Sequence, residues 1–131
     1  MSVPCSRCAQ DQAQKPICIV DDDECVADSL KTLLEIFGFS VLSYSSGGEF
    51  LADERRRTAG YLVIDYHMPG MNGLEVLENL QKEGIRVPTT LISGRFDANT
   101  RKRATRMGVG GIIEKPFAPG RLIELIRAAL H

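Results

Sequence analysis

Five side chains in this sequence are placed where chemistry can be done: Asp21, Asp22, Asp65, Ser93 and Lys115. Each closes or follows a short apolar run. Residues 16–20 lead into Asp21-Asp22, residues 61–64 into Asp65, residues 87–92 into Ser93, and residues 110–114 into Lys115. Three carboxylates brought within a few ångströms repel, and one is pushed toward protonation. A hard divalent cation removes the conflict. Mg2+ commonly takes only one or two carboxylates and leaves its other positions to water and phosphate oxygens. Lys115 can hold a phosphoryl oxygen or pair with Asp65, and Ser93 offers a hydroxyl. One cation, one lysine and one hydroxyl around a carboxylate form a phosphoryl-transfer site, in which the carboxylate can be the nucleophile and become an aspartyl phosphate.

Taken singly, each residue has a plainer reading. An Asp-Asp pair before a helix is usually a solvated acid cluster matched to the helix dipole. A lysine after a strand is usually a surface residue, and an aspartate at a strand end often only caps a turn. Their joint occurrence at the ends of the first, third, fourth and fifth strands is what makes a site.

The intervening sequence must position them. After the first strand, Val26, Leu30, Leu33, Leu34 and Phe37 recur at helical spacing and Gly38 stops the helix. Residues 39–44 alternate as a second strand, and Ser45 or Ser46 can cap a helix reaching about Arg57. Gly60 opens the third strand. Asn72 with Glu75 three residues on is a variant capping box for a helix burying Leu74, Leu77 and Leu80. Residues 87–93 form the fourth strand, Asp97 can cap a helix to Met107, and residues 110–114 form the fifth strand. Pro119 suits the first turn of a last helix, whose apolar stripe is Leu122, Ile123, Ile126, Ala129 and Leu130. Strand and helix alternate five times, which predicts an α/β fold: a doubly wound five-stranded parallel sheet, flavodoxin-like, with helices on both faces and strand order 2-1-3-4-5. Acids stand where a dinucleotide-binding glycine loop would follow the first strand, which argues against a dinucleotide-binding enzyme.

The chain has 131 residues, 44% hydrophobic and 25% charged, with a net charge of −1, which fits one ordinary globular domain and gives no general argument for nucleic acid. No apolar run approaches the roughly 18 residues of a membrane span, and the polar N-terminus has no signal-peptide core, so a cytoplasmic protein is expected. Residues 1–14 read as a flexible arm and 15–131 as the domain. The arm carries Cys5-x-x-Cys8, half of a zinc-ribbon ligand set without its second pair, so an incidental thiol pair is the default. Cys18, inside a strand, and Cys25, at a helix start, read as reduced thiols.

The stretches Ile19-Val20-Asp21-Asp22-Asp23, Val63-Ile64-Asp65-Tyr66-His67-Met68-Pro69-Gly70-Met71-Asn72-Gly73, Leu91-Ile92-Ser93-Gly94 and Glu114-Lys115-Pro116-Phe117 resemble, in order and spacing, the receiver domains of two-component response regulators, and in particular receivers that precede LuxR-type DNA-binding domains. The resemblance covers about residues 16–131. It implies that Asp65 accepts a phosphoryl group from the phosphohistidine of a sensor histidine kinase. It implies that Asp21, Asp22, Asp65 and the backbone carbonyl of His67 hold Mg2+, that Lys115 contacts the phosphoryl group, and that Ser93 moves toward it. The Lys115–Pro116 bond is expected to be cis. Three positions depart from the family pattern. Ile112 stands where a Tyr or Phe is common, His67 and Arg95 occupy positions that flank the pocket mouth, and Ala118 replaces a polar helix cap. Arg95 reads either as a partner of the phosphoryl oxygens or as a solvated loop residue.

The expected role is therefore a phosphorylation switch for protein–protein interaction, not an enzyme, although a receiver assists its own phosphorylation and dephosphorylation. The expected partners are the kinase and a downstream protein or fused output domain, with homodimerisation on phosphorylation left open. Neither membrane nor direct nucleic-acid contact is expected. The helix bearing Arg101, Lys102, Arg103 and Arg106 is either a solvated face or a dock for an acidic partner. Two other readings compete: a receiver acting by binding alone, or a truncated transcription regulator. A phosphatase with an aspartyl nucleophile would need a second acid at position 67, where His67 stands.

Overall fold

The computed structural model describes residues 15–130, so the arm expected at residues 1–14, with Cys5 and Cys8, lies outside the described residues. The elements run β1 (Ile17–Val20), α1 (Glu24–Ile36), β2 (Val41–Tyr44), α2 (Gly47–Ala52), a 3-10 turn (Glu54–Thr58), β3 (Tyr61–Asp65), α3 (Gly73–Lys82), β4 (Thr89–Ser93), α4 (Ala98–Arg106), β5 (Gly111–Glu114) and α5 (Pro119–Leu130). All strand pairs are parallel and the order is β2-β1-β3-β4-β5, as expected.

Every residue of β1, β3 and β4 is buried, the mark of strands covered on both faces. Successive side chains point to opposite faces, so the strands feed two apolar layers. Ile17, Ile19, Val63, Ile92 and Ile113 pack with α1 and α5 through Leu30, Leu34, Leu122, Ile123 and Ile126. Cys18, Val20, Leu62, Ile64 and Leu91 pack with α2, α3 and α4 through Phe50, Leu74, Leu77, Leu80 and Ala104. Fully burying such a leucine contributes about 2 kcal/mol.

Caps set where the helices begin. Asp23 accepts hydrogen bonds from the Cys25 and Val26 amides to start α1, and Gly38 ends it at φ +94°. Asn72 and Glu75 form the expected reciprocal box on α3, and Asp97 accepts from the Thr100 amide at 2.7 Å to start α4. Pro119 opens α5. The Lys115–Pro116 bond is cis.

The structure corrects three local expectations. β2 and β4 begin two residues later than expected, at Val41 and Thr89, and β5 one later, at Gly111. Of the two candidate serines, Ser46 caps α2. That helix stops at Ala52 because Asp53 is extended; its carboxylate accepts from the Arg55 amide (2.9 Å) and the Tyr44 hydroxyl (2.8 Å), and a 3-10 turn follows. Ala129, Leu130 and Phe37 do not join the core: Leu130 is 44% and Phe37 43% exposed. A 12-residue helix is about 18 Å long, whereas a four-residue strand covers only about 13 Å, so the helix ends overrun the sheet.

Candidate functional site

β1, β3, β4 and β5 deliver their last residues to one edge of the sheet. Val20 is in register with Ile64, Asp65 with Ile92, and Ser93 with Glu114. Asp21 and Lys115 each come one residue after a strand. Adjacency in the sheet, and not proximity in sequence, therefore brings Asp21, Asp65 and Lys115 together.

Lys115 Nζ lies 3.2 Å from Asp65 Oδ2 and 3.7 Å from Asp21 Oδ2. Asp21 is 3% exposed and Asp65 6%. Asp22 is exposed, yet one carboxylate oxygen from each of Asp21, Asp22 and Asp65 lies within 4.8 Å of the other two. The Asp23 amide donates to Asp21 Oδ1 at 2.9 Å and the His67 amide to Asp65 Oδ1 at 3.2 Å, which fixes both carboxylates from one side. Asp23, the third acid of the run, is the helix cap and stands outside this cluster.

One ammonium pairs with two of these three clustered carboxylates. Burial pushes the Asp21 carboxyl up to about 6, and the neighbouring Asp65 adds to the rise despite the Asp23 amide and Lys115. Burial pulls on the Lys115 ammonium in the opposite sense, but Asp21 and Asp65 outweigh it and hold Lys115 above the usual lysine value. An all-oxygen donor set with surplus negative charge, including a buried carboxylate poorly compensated in its ionised form, fits a hard divalent cation such as Mg2+.

Ser93 reaches the same edge and is fully buried, but its hydroxyl turns to its own loop. Ser93 Oγ donates to the Arg95 carbonyl at 2.9 Å and accepts from the Arg95 amide at 3.2 Å. The backbone of α3 closes the floor of the site: the Gly73 amide donates to the Tyr66 carbonyl at 3.0 Å, and a Cβ on Gly73 would lie 2.7 Å from the Asp65 carbonyl oxygen. Arg95 and His67 are exposed beside the site.

Sequence reasoning missed Glu114, Phe96 and Gly73. The Phe96 amide donates to Glu114 Oε2 at 3.2 Å, and the Arg101 guanidinium reaches the same oxygen at 3.3 Å. Strand alternation was the available signal. It puts Glu114 on the same face as Ile112, the face covered by α4.

Among the described residues no helix is long and apolar enough to cross a membrane. Residues 17–127 match the response regulator receiver domain. The chain is 39% identical over 114 residues to the response regulator protein TodT of Pseudomonas putida, covering 87% of this chain and 50% of that protein. It is 40% identical over 114 residues to the transcriptional regulatory protein FixJ of Rhizobium meliloti, covering 86% and 56%. It thus spans about half the length of the curated relatives it matches. Among solved structures, FixJ-N superposes with a TM-score of 0.80 at 38% identity, over 89% of this chain and 94% of that one. A CheY-like receiver domain from Methanospirillum hungatei gives 0.83 at 31% identity over 89% and 94%. The strand order, the acids gathered at one sheet edge and the match over nearly the whole length agree: this chain belongs to the receiver domain family of two-component response regulators.

Proposed function

We propose that Asp65 is the phosphoacceptor, receiving a phosphoryl group from the phosphohistidine of a sensor histidine kinase. The observation that carries this reading is the buried Asp65 carboxylate, paired with Lys115 at 3.2 Å and grouped with two further acids at the sheet edge. In the transfer, an Asp65 carboxylate oxygen attacks phosphorus, a P–O bond forms as the P–N bond of the donor breaks, and the electron pair returns to the donor imidazole. The His67 amide holds Asp65 Oδ1, leaving the Oδ2 side, where Lys115 lies, to face the incoming group. Lys115 moves from pairing a carboxylate to holding a phosphoryl oxygen. The residues that would hold Mg2+ are Asp21, Asp22, Asp65 and the backbone carbonyl of His67; bound there, the ion neutralises charge on the phosphoryl oxygens and on the crowded acids. Ser93 donates to the phosphoryl group once its hydroxyl leaves Arg95.

In this reading the domain, residues 15–131, works in the cytoplasm as a switch and not as a turnover enzyme, beyond assisting its own phosphorylation and dephosphorylation. Its output is a protein contact made with a separate target, a fused output domain or a second phosphorylated copy, and this region itself touches neither membrane nor DNA. The basic α4, with Arg101, Lys102, Arg103 and Arg106 beside the site, supports an acidic protein partner.

The test is intact mass after incubation with Mg2+ and acetyl phosphate. The parent gains one phosphoryl mass, whereas Asp65→Asn and the parent in EDTA gain none. Equal uptake by Asp65→Asn would move the acceptor elsewhere.

A further inference from the structure

Four residues separate Ser93 from the start of α4, and Phe96 is the one among them that is buried. Two fastenings hold this loop. The first is the pair of bonds between Ser93 Oγ and the Arg95 backbone. The second lies one residue on, where Glu114 Oε2 accepts both the Phe96 amide at 3.2 Å and the Arg101 guanidinium at 3.3 Å. Arg101 also stacks over the Phe96 ring at 5.4 Å, and Phe96 packs against Tyr66, the neighbour of Asp65, at 6.4 Å. Glu114 is opposite Ser93 in the β4–β5 register. One carboxylate therefore ties the loop behind the hydroxyl to the first turns of α4.

A phosphoryl group on Asp65 would present charged oxygens, which accept a hydroxyl proton more strongly than a neutral carbonyl does. Drawing the Ser93 hydroxyl away breaks both of its bonds to the Arg95 backbone, so this fastening is lost unless the loop moves with it. Glu114 opposes that movement through the Phe96 amide. We propose that Glu114 is a positioning residue that latches the loop between β4 and α4 with Ser93 turned away from Asp65, and that loading of the phosphoryl site opens this latch and frees Arg101 on the α4 face. This inference rests on the phosphoacceptor reading above. It assigns the mechanical link between site and α4 to Glu114, Phe96 and Arg101, a link that Ile112, an aliphatic side chain within the apolar layer, has no polar group to make.

Two-state linkage gives the sign. A ligand that favours the open loop binds more tightly when the latch is weakened, and by reciprocity its binding weakens the latch. Glu114 is half-exposed, so Glu114→Gln removes the charge without leaving a buried cavity.

The experiment measures beryllofluoride affinity in saturating Mg2+ by titration calorimetry for the parent, Glu114→Gln, Ser93→Ala and the double variant, with Mg2+ affinity measured alongside. Glu114→Gln is expected to tighten beryllofluoride binding by about three- to tenfold, the range of a partly exposed ion pair combined with one charge-assisted hydrogen bond. Mg2+ affinity is expected to stay unchanged. The gain vanishes in the Ser93→Ala background, because no hydroxyl then has to be released. Beryllofluoride is also expected to speed hydrogen exchange of the Phe96 amide in the parent, an effect that a purely stabilising role for Glu114 does not produce. Unchanged or weaker binding in Glu114→Gln, or a gain that persists without Ser93, overturns the latch and leaves the phosphoacceptor reading standing. Absence of Mg2+-dependent beryllofluoride binding in the parent overturns both.

Discussion

Two ion pairs stand at opposite edges of the sheet and differ in how completely they are satisfied. At the edge where the strands begin, Arg56 in the 3-10 turn meets Glu83 at the end of α3. Arg56 Nε and Nη2 donate to the two Glu83 oxygens, and Nη1 donates to the Asp53 carbonyl at 3.1 Å. The bond to Arg56 holds the Glu83 carboxyl below its ordinary value, and the same bond holds Arg56 above its own. Both Glu83 oxygens accept from the Arg56 fork, the use to which a planar guanidinium is suited, and Arg57 Nη2 adds a longer contact at 3.6 Å, so this carboxylate is fully compensated. At the edge where the strands end, a single Lys115 ammonium pairs with Asp21 and Asp65, Asp22 joins the same acid cluster, and Asp21 is poorly stabilised in its charged form. The first pair is a fastening. The second is a charge imbalance that a cation and a phosphoryl group can complete. Nearness of opposite charges does not distinguish these two pairs; the unmatched remainder does.

The sharpest way to break this contrast is to disable each pair in turn. Arg56→Ala should lower Tm by several degrees, because it removes the two-pronged bond to Glu83, which keeps only the longer Arg57 contact, and leaves the Asp53 carbonyl without the Arg56 donor, while phosphoryl uptake stays within about twofold of the parent. Asp65→Asn should abolish uptake and leave Tm equal or higher, since it removes one of the crowded charges. Thermal melts and acetyl phosphate uptake on both variants decide it. A stability loss in Asp65→Asn matching that of Arg56→Ala would erase the distinction.

A smaller effect is expected where the two properties meet. At Gly73, α3 touches the backbone of Asp65, and an added Cβ has no room, lying 2.7 Å from the Asp65 carbonyl oxygen and 2.9 Å from a Leu91 methyl. Gly73→Ala should cost about 1–3 kcal/mol in denaturant unfolding and also slow phosphoryl uptake, whereas Arg56→Ala should change stability alone.

The smallest effect is one of pH in metal-free protein. The Asp21 carboxyl titrates at about 6 when folded, above its ordinary value of 3.8, so the folded state binds the extra proton in this window. Stability contributed by that proton is present below about pH 4 and is lost as pH rises through 6. Denaturant melts in EDTA should therefore show the parent losing stability relative to Asp21→Asn between those values. Saturating Mg2+ should reverse the order above pH 6, since an ion that binds only the folded state stabilises it. Parallel pH curves for the two proteins would show that Asp21 carries no such cost.

Much of this was legible in the sequence. Residues 61–65 form a buried strand closed by an acid, and only an interior parallel strand accepts such a run. The caps at Asp97 and Asn72 declare themselves because their chemistry is local. The break at Asp53 combines a local bond from the Arg55 amide with one from Tyr44, nine residues earlier, and the second of these was not legible. The last turn of α5 was misread because helical spacing continues to Leu130 past the point where the sheet has any surface left to cover.

The sequence by itself determined the alternation of strands and helices, the residues at the strand ends and the chemistry they could share, since periodicity, capping and side-chain type are properties of short stretches. Tertiary structure alone decided that Ser93 turns to Arg95 and not to Asp65, that one lysine pairs with two acids of a cluster of three, and that Glu114 joins β5 to the loop before α4. Those outcomes depend on the register of strands far apart in the chain, and hydrogen-bond partners are chosen by which groups that register brings within about 3 Å.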